Sequence, residues 1–224
     1  MSPNYTHVLL PNGRLRQVRL FDGKVSVISS RVAFDAKPTK IVEVRESHTK
    51  FDGQLSKPMT YSIGYRKGGS AVLIFDVSTE EILLVEQVRP AVLISAVEDG
   101  KVTFNDKNGR IIEIVAGGFG SDTPEECARR EVLEETGIEV EPKNIFHITD
   151  FYLSPGGSTE YICLFFAPVF SKHKVAKGGG LEKENEDVKC HWVSLKKAKN
   201  MLWSGEIADA KTIIAIQWLL LNHK

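Results

Sequence analysis

The chain has 224 residues, a hydrophobic fraction of 42% and a formal net charge of zero, which suits one domain with an appendage and excludes a nucleic-acid binder that relies on a broad basic surface. Its three cysteines, Cys127, Cys163 and Cys190, are too far apart for a zinc pattern or a disulfide framework, so a reducing cytoplasm is the expected compartment. The first residues carry no signal-peptide pattern, and the apolar run near Ile213 to Leu221 is broken by Gln217 and too short to span a bilayer, so no membrane association is expected.

Residues 1–62 read as short strands and turns. Asn12-Gly13, Asp22-Gly23 and Asp52-Gly53 are turn signals, and Lys24–Ser29 and Thr39–Arg45 between them alternate or are β-branched. A segment this short buries little by itself, so it calls for a partner surface, either the main domain or a second subunit. The main domain is expected over residues 63–224. Ala71–Asp76 and Ile82–Gln87 predict two apolar strands forming a hairpin, with Arg89 projecting from a strand end. Ser95–Asn108 is polar and reads as a variable loop. Ile111–Val115 predicts another strand, and a glycine loop and a helix follow it. Ile145–Leu153 and Tyr161–Phe170 predict strands flanking the tight loop Ser154–Glu160 (SPGGSTE). Ser171–Asp187 is a long, charged, glycine-bearing segment, a length that goes with functional lids or disorder. Val188–Val193 resumes as a strand. Ser194 can cap a helix over Leu195–Trp203, and Asp209 one over Ala210–Asn222. Strands alternating with helices predict an α/β fold.

The stretch from Ala116 to Ile138 organises the rest. Gly117, Gly118 and Gly120 allow a tight turn and close approach of a ligand. Thr123 suits an N-cap, Pro124 the first helical position, and Glu126 completes a capping box. Gly137 suits a left-handed C-cap. Glu131, Glu134 and Glu135 fall on one helix face. The last two stand where the helix dipole disfavours anions, and Glu131 repels Glu135 at i,i+4, a cost of about 0.2–0.5 kcal/mol. Pairing of Arg130 with Glu134 offsets only part of this. A carboxylate cluster that works against its own helix is explained by a hard cation, Mg²⁺ or Mn²⁺, which prefers oxygen ligands.

These residues resemble the Nudix box, G-x5-E-x7-R-E-U-x-E-E-x-G-U with U apolar. Arg130, Glu131, Val132, Glu134, Glu135, Gly137 and Ile138 match position for position. The first half departs: Asp122 stands at the first-glutamate position, and the loop back to Gly117 is one residue short. The resemblance implies an α/β/α sandwich with a mixed sheet. Further motifs narrow it to nucleoside-diphosphate-sugar pyrophosphatases. ADP-ribose pyrophosphatases share S-P-G-G followed by a glutamate (Glu160), E-N-E-D before a strand, and a late G-x-I-x-[DN] turn. GDP-mannose pyrophosphatases share the short box loop, the Gly178–Gly180 run and G-E-I-x-D-x-K-T (Gly205–Thr212). Mammalian UDP-glucose pyrophosphatases share R-P-A-V (Arg89–Val92), a long insertion before the box and G-G-G-L.

Hydrolysis of a diphosphate needs cations to neutralise phosphate, a base to activate water, and donors to hold the substrate in line. Glu131 and Glu135 are the candidate cation ligands with Glu134 close by; the resemblance adds the Ala116 carbonyl. Arg66, Arg89, the Ser154–Gly157 backbone including Gly156, and Glu160 are candidates for holding a nucleotide-sugar substrate. The resemblance makes Glu186 the catalytic base and a further metal-side carboxylate, with Glu184 its rival and Glu134 the fallback proton acceptor. It also implies a homodimer in which residues 1–62 take part. Two other readings stand beside this one: a Nudix-fold binding module without turnover, and a Nudix enzyme acting on capped RNA or dinucleoside polyphosphates.

Overall fold

The structure is a computed structural model. It describes residues 5–9, 15–19, 25–36, 39–98, 101–106, 108–170 and 176–223, with side chains from residue 40 onward, that of Glu184 excepted. The expected turns at Asn12-Gly13 and Asp22-Gly23, and the first residues of the segment after Phe170, lie outside the described residues. The chain forms two compact units, Met1–Gly68 with Tyr152–Tyr161, and Gly69–Phe151 with Ile162–Lys224. The first unit therefore runs a few residues past the expected boundary at residue 62 and takes in the Ser154–Glu160 loop.

Among its described residues the first unit has strands and no helix. Strands β1 (Tyr5–Leu9) and β2 (Leu15–Arg19) pair antiparallel. β3 (Val25–Ala36), β4 (Thr39–His48) and β5 (Met59–Tyr65) form a three-stranded antiparallel sheet in that order. The Asp52-Gly53 turn forms as expected: the Asp52 carboxylate accepts from the Gln54 amide at 2.9 Å, and Gly53 takes a left-handed φ of 83°.

The second unit is built on a seven-stranded mixed sheet. β6 (Gly69–Asp76) and β7 (Glu81–Val88) form the expected hairpin. The run expected as one strand, Ile111–Val115, is two: β10 (Arg110–Glu113) pairs with β7 and β11 (Val115–Gly118) with β6. The break falls at Ile114, whose amide donates to Thr212 Oγ1 at 2.9 Å instead of to a neighbouring strand. β12 (Phe146–Tyr152), β13 (Tyr161–Val169) and β14 (Lys189–Ser194) complete the sheet; β13 runs parallel to β6 and β14 antiparallel to β7. The segment read as a polar loop also differs. Residues β8 (Ile94–Glu98) and β9 (Lys101–Phe104) form a hairpin whose facing pairs include Ile94 with Phe104 and Val97 with Val102. Such apolar cross-strand pairs stabilise a ladder even where the composition is polar.

Helices cover both faces of this sheet, and the two-residue period of β6 shows how. Ala71, Leu73 and Phe75 pack with Ala198 and Met201 of α2 (Leu195–Ser204) and with Ala215, Ile216 and Leu219 of α3 (Ala210–Asn222). The alternate positions face α1 (Pro124–Thr136): Ser70 donates to the Pro124 carbonyl at 2.6 Å, while Val72 and Ile74 are fully buried. Every residue of β6 is buried, as expected of a central strand covered on both sides. No helix among the described residues is long and apolar enough to cross a membrane.

Candidate active site

Helix α1 begins as its sequence dictates. Thr123 Oγ1 accepts from the Glu126 amide, and the Glu126 carboxylate accepts from the Thr123 amide at 2.9 Å. The helix ends at Gly137, in a left-handed conformation with φ 75°. Ala128, Val132 and Glu135 follow one another at spacings of four and three, so Glu135 continues the buried stripe instead of the solvent face. It is 2% exposed. Gln87 Nε2 donates to its Oε1 at 3.5 Å, while its Oε2 is the one buried side-chain polar atom without a partner among the described residues. Burial, and the nearby carboxylates of Glu131, Glu113 and Glu186, push its pKa well above the ordinary carboxylate range against the pull of Arg89.

Glu131 is also raised, first by burial and then by Glu134 and Glu186, with Arg130 opposing. Its carboxyl group lies against the α-carbon of Gly117 in β11, where a Cβ would overlap it. This close approach is why the strand end carries glycine. Ala116, one residue earlier, pairs with Ala71 of β6. Arg130 ties the loop and helix together. Its Nη1 donates to Glu131 at 2.7 Å and to Glu134 at 2.9 Å, its Nε to Asp122 at 2.7 Å and its Nη2 to the Gly118 carbonyl at 3.1 Å. Burial works against its charge, but these carboxylates outweigh it and raise its pKa. Asp122, which departs from the expected glutamate, is thus an anchor for the arginine.

Glu186 is exposed, and its Oε2 accepts from the Leu181 amide at 2.9 Å. Its charge acts on both Glu131 and Glu135. The structure therefore gathers Ala116, Glu131, Glu134, Glu135 and Glu186 in the second unit. Among the described residues, no three His, Cys, Asp or Glu side chains converge to hold a metal as they lie, and Arg130 donates to both Glu131 and Glu134. The fit to a divalent cation rests on Glu135: a buried oxygen without a partner, facing further carboxylates, is a donor set suited to a hard cation.

Arg89 stands at the end of β7, where Glu113 Oε1 accepts from its Nε at 2.8 Å. Burial opposes its charge, but Glu113 outweighs this and raises its pKa. Glu113, 1% exposed, also pairs with Lys211, which in turn reaches Asp209 Oδ1 at 2.9 Å. Asp209 Oδ2 caps α3 by accepting from the Thr212 amide at 2.9 Å. Reading of the sequence missed Glu113, Lys211 and Gln87. A glutamate inside the apolar run IIEIV was the available signal for Glu113.

Arg66, Ser154, Gly156 and Glu160 lie together in the first unit. Thr159 Oγ1 accepts from the Arg66 amide at 3.0 Å and donates to its carbonyl at 2.8 Å. The Arg66 and Glu160 side chains pair loosely at 3.8 Å. The Ser154 carbonyl accepts from the Gly157 and Ser158 amides at 3.1 and 2.9 Å, and the Gly64 amide donates to the Gly157 carbonyl at 2.8 Å. The loop is thus stitched to β5, and Ser154 and Gly156 are exposed.

Residues 66–215 match the family model described as NUDIX domain. A GDP-mannose pyrophosphatase of Salmonella arizonae is 35% identical over 159 residues, 70% of this chain and 76% of that protein. One from Shigella flexneri serotype 5b is 33% identical over the same length and the same shares. A solved structure titled "Crystal structure of ADP compounds hydrolase" superposes with a TM-score of 0.63, covering 89% of this chain and 96% of that one, at 13% identity. That last likeness speaks for the fold.

Proposed function

This chain belongs to the Nudix family of hydrolases, and on that premise we propose that it hydrolyses the diphosphate linkage of a nucleoside diphosphate sugar with the help of Mg²⁺ or Mn²⁺. The observation that carries the reading is the buried Glu135 oxygen without a partner, beside Glu131 and Glu186. GDP-mannose is the first substrate to try, since the similar curated proteins carry that name; ADP-ribose and UDP-glucose are the others.

Glu131, Glu135 and the Ala116 carbonyl would hold the cation, with Glu186 as a further carboxylate toward it. A cation there supplies charge neutralisation of the diphosphate. The water oxygen forms a bond to one phosphorus, and the bond from that phosphorus to the bridging oxygen breaks, its electron pair staying on the leaving phosphate. The water proton passes to the Glu186 carboxylate. The products are a nucleoside monophosphate and a sugar phosphate. Glu186 suits the base because it is exposed, whereas Glu134 is occupied by Arg130. Arg89 would hold a phosphate.

The second part of the proposal is a homodimer built through residues 1–62. It is supported by Met59 and Tyr61, two residues apart on β5 and both exposed, since exposed apolar side chains on one face of a strand favour a partner surface.

A panel of nucleotide sugars assayed with Mg²⁺, with Mn²⁺ and with excess EDTA tests the reading. Monophosphate release that depends on the metal is expected. Equal activity in EDTA, or release of inorganic pyrophosphate, would refute it. Hydrolysis in ¹⁸O-water then reports which phosphorus is attacked.

A further inference from the structure

The run Gly178-Gly179-Gly180 does something its composition does not announce. An α-helix leaves its last carbonyls without intrahelical donors. At the end of α1 these are supplied from this distant loop: the Gly179 amide donates to the Glu135 carbonyl at 2.7 Å and the Gly180 amide to the Glu134 carbonyl at 3.1 Å. On either side, the Ala176 amide donates to the Gly137 carbonyl at 3.2 Å, and the Val188 amide returns to the Gly179 carbonyl at 3.1 Å. All three glycines have positive φ, 66°, 96° and 85°. At Gly178 a Cβ would meet the Thr136 backbone, and at Gly180 it would stand 2.6 Å from Glu186 Cβ and 2.9 Å from its Oε2. The Glu186 amide in turn donates to the Leu181 carbonyl at 3.3 Å.

We propose that the triglycine segment is a positioning device: by capping the C-terminus of α1 it holds the Glu186 carboxylate at the helix face that carries Glu131 and Glu135, and Gly180 leaves the space in which Glu186 lies. The glycines touch no reacting atom and act through Glu186. The backbone carbonyls of Glu134 and Glu135 serve as the docking points while their side chains serve the site, so one helix end fixes both halves of the machinery. The proposal rests on the reading of Glu186 as the base.

The test compares Gly180→Ala, Glu186→Gln and the double variant, with GDP-mannose and Mg²⁺ as probe. A displacement of about 1 Å at a catalytic group costs up to roughly 10²-fold, so Gly180→Ala should lower kcat by about 10- to 100-fold with KM within about 3-fold. In the Glu186→Gln background the same substitution should cost almost nothing further, because the group it positions is gone. Gly205→Ala is the control. Gly205 also has positive φ, 75°, but open space around its Cβ, so it should lose stability and keep kcat. If Gly180→Ala does not fold, Gly179→Ala adds backbone strain without that clash, its nearest neighbour being 3.7 Å away, and carries the same expectation. Independently of turnover, the Gly179 and Gly180 amides should be protected from hydrogen exchange in the wild type and lose protection in the variant. An unchanged kcat, a loss that adds in full to that of Glu186→Gln, or unprotected amides in the wild type would each overturn the positioning role. A Glu186→Gln enzyme with unchanged kcat would instead remove the reading beneath it, and this is seen before any glycine variant is made.

Discussion

At the scale of single residues the site is a set of charges held in opposition. Glu135 is buried on the stripe of α1 that packs on the sheet, and it lacks a partner for one oxygen. Burial and the carboxylates around it disfavour the ionised form of Glu135, a cost present above its raised pKa, so Glu135→Gln, which carries no charge, should stabilise the metal-free protein at pH 8. It should also abolish most activity, and with it the rise in melting temperature expected when Mg²⁺ is added to the wild type. Thermal melts with EDTA and with Mg²⁺ check this; a variant less stable than wild type in EDTA would refute it. Glu186→Gln should lower kcat by about 10²–10⁴ with little change in KM, as expected on losing a general base. Glu184→Gln should cost clearly less, and a reversed order in the kinetics would reassign the base.

At the scale of elements, α1 and α3 are tied down by different means. The N-terminus of α1 depends on the Thr123–Glu126 capping box, and Thr123→Ala should cost about 1 kcal/mol, read from denaturant melts. The Glu126 pKa is lowered by its hydrogen bonds to Thr123. A depressed carboxylate contributes stability above its unfolded pKa and loses it as pH falls through the folded one. The stability gap between wild type and Thr123→Ala should therefore narrow in acid, and a gap that widens would contradict the capping role. The start of α3 instead closes a long-range cluster, Asp209–Lys211–Glu113–Arg89. Removing one partner of a buried pair is strongly destabilising, so Lys211→Met should cost about 3 kcal/mol. Adding Glu113→Gln should restore more than half of it in the same melts.

At the scale of the whole molecule, the proposal is two copies joined through residues 1–62. Light scattering at micromolar concentration should give twice the mass of one chain, and deletion of those residues should give a monomer or an insoluble protein. A clean monomer of the full chain would defeat the proposal.

The capping box, the box helix and its left-handed stop could be read from the sequence because their determinants are neighbours: Thr123 with Glu126, and Gly137 one residue past the last helical turn. The apolar strands β6 and β7 and the caps of α2 and α3 could be read for the same reason. Tertiary structure decided what depends on partners far along the chain. The run Ile111–Val115 became two strands because Thr212, 98 residues away, takes the Ile114 amide. Arg89 met Glu113, and Glu113 met Lys211, because a sheet and a helix terminus converge on them. The glycines at 178–180 could be read as freedom of the backbone, but no local pattern says that this freedom serves to cap a helix more than 40 residues earlier. Glu135 shows the division most plainly: its period on the helix made it a candidate ligand, and only packing of that helix on the sheet left its oxygen buried and without a partner.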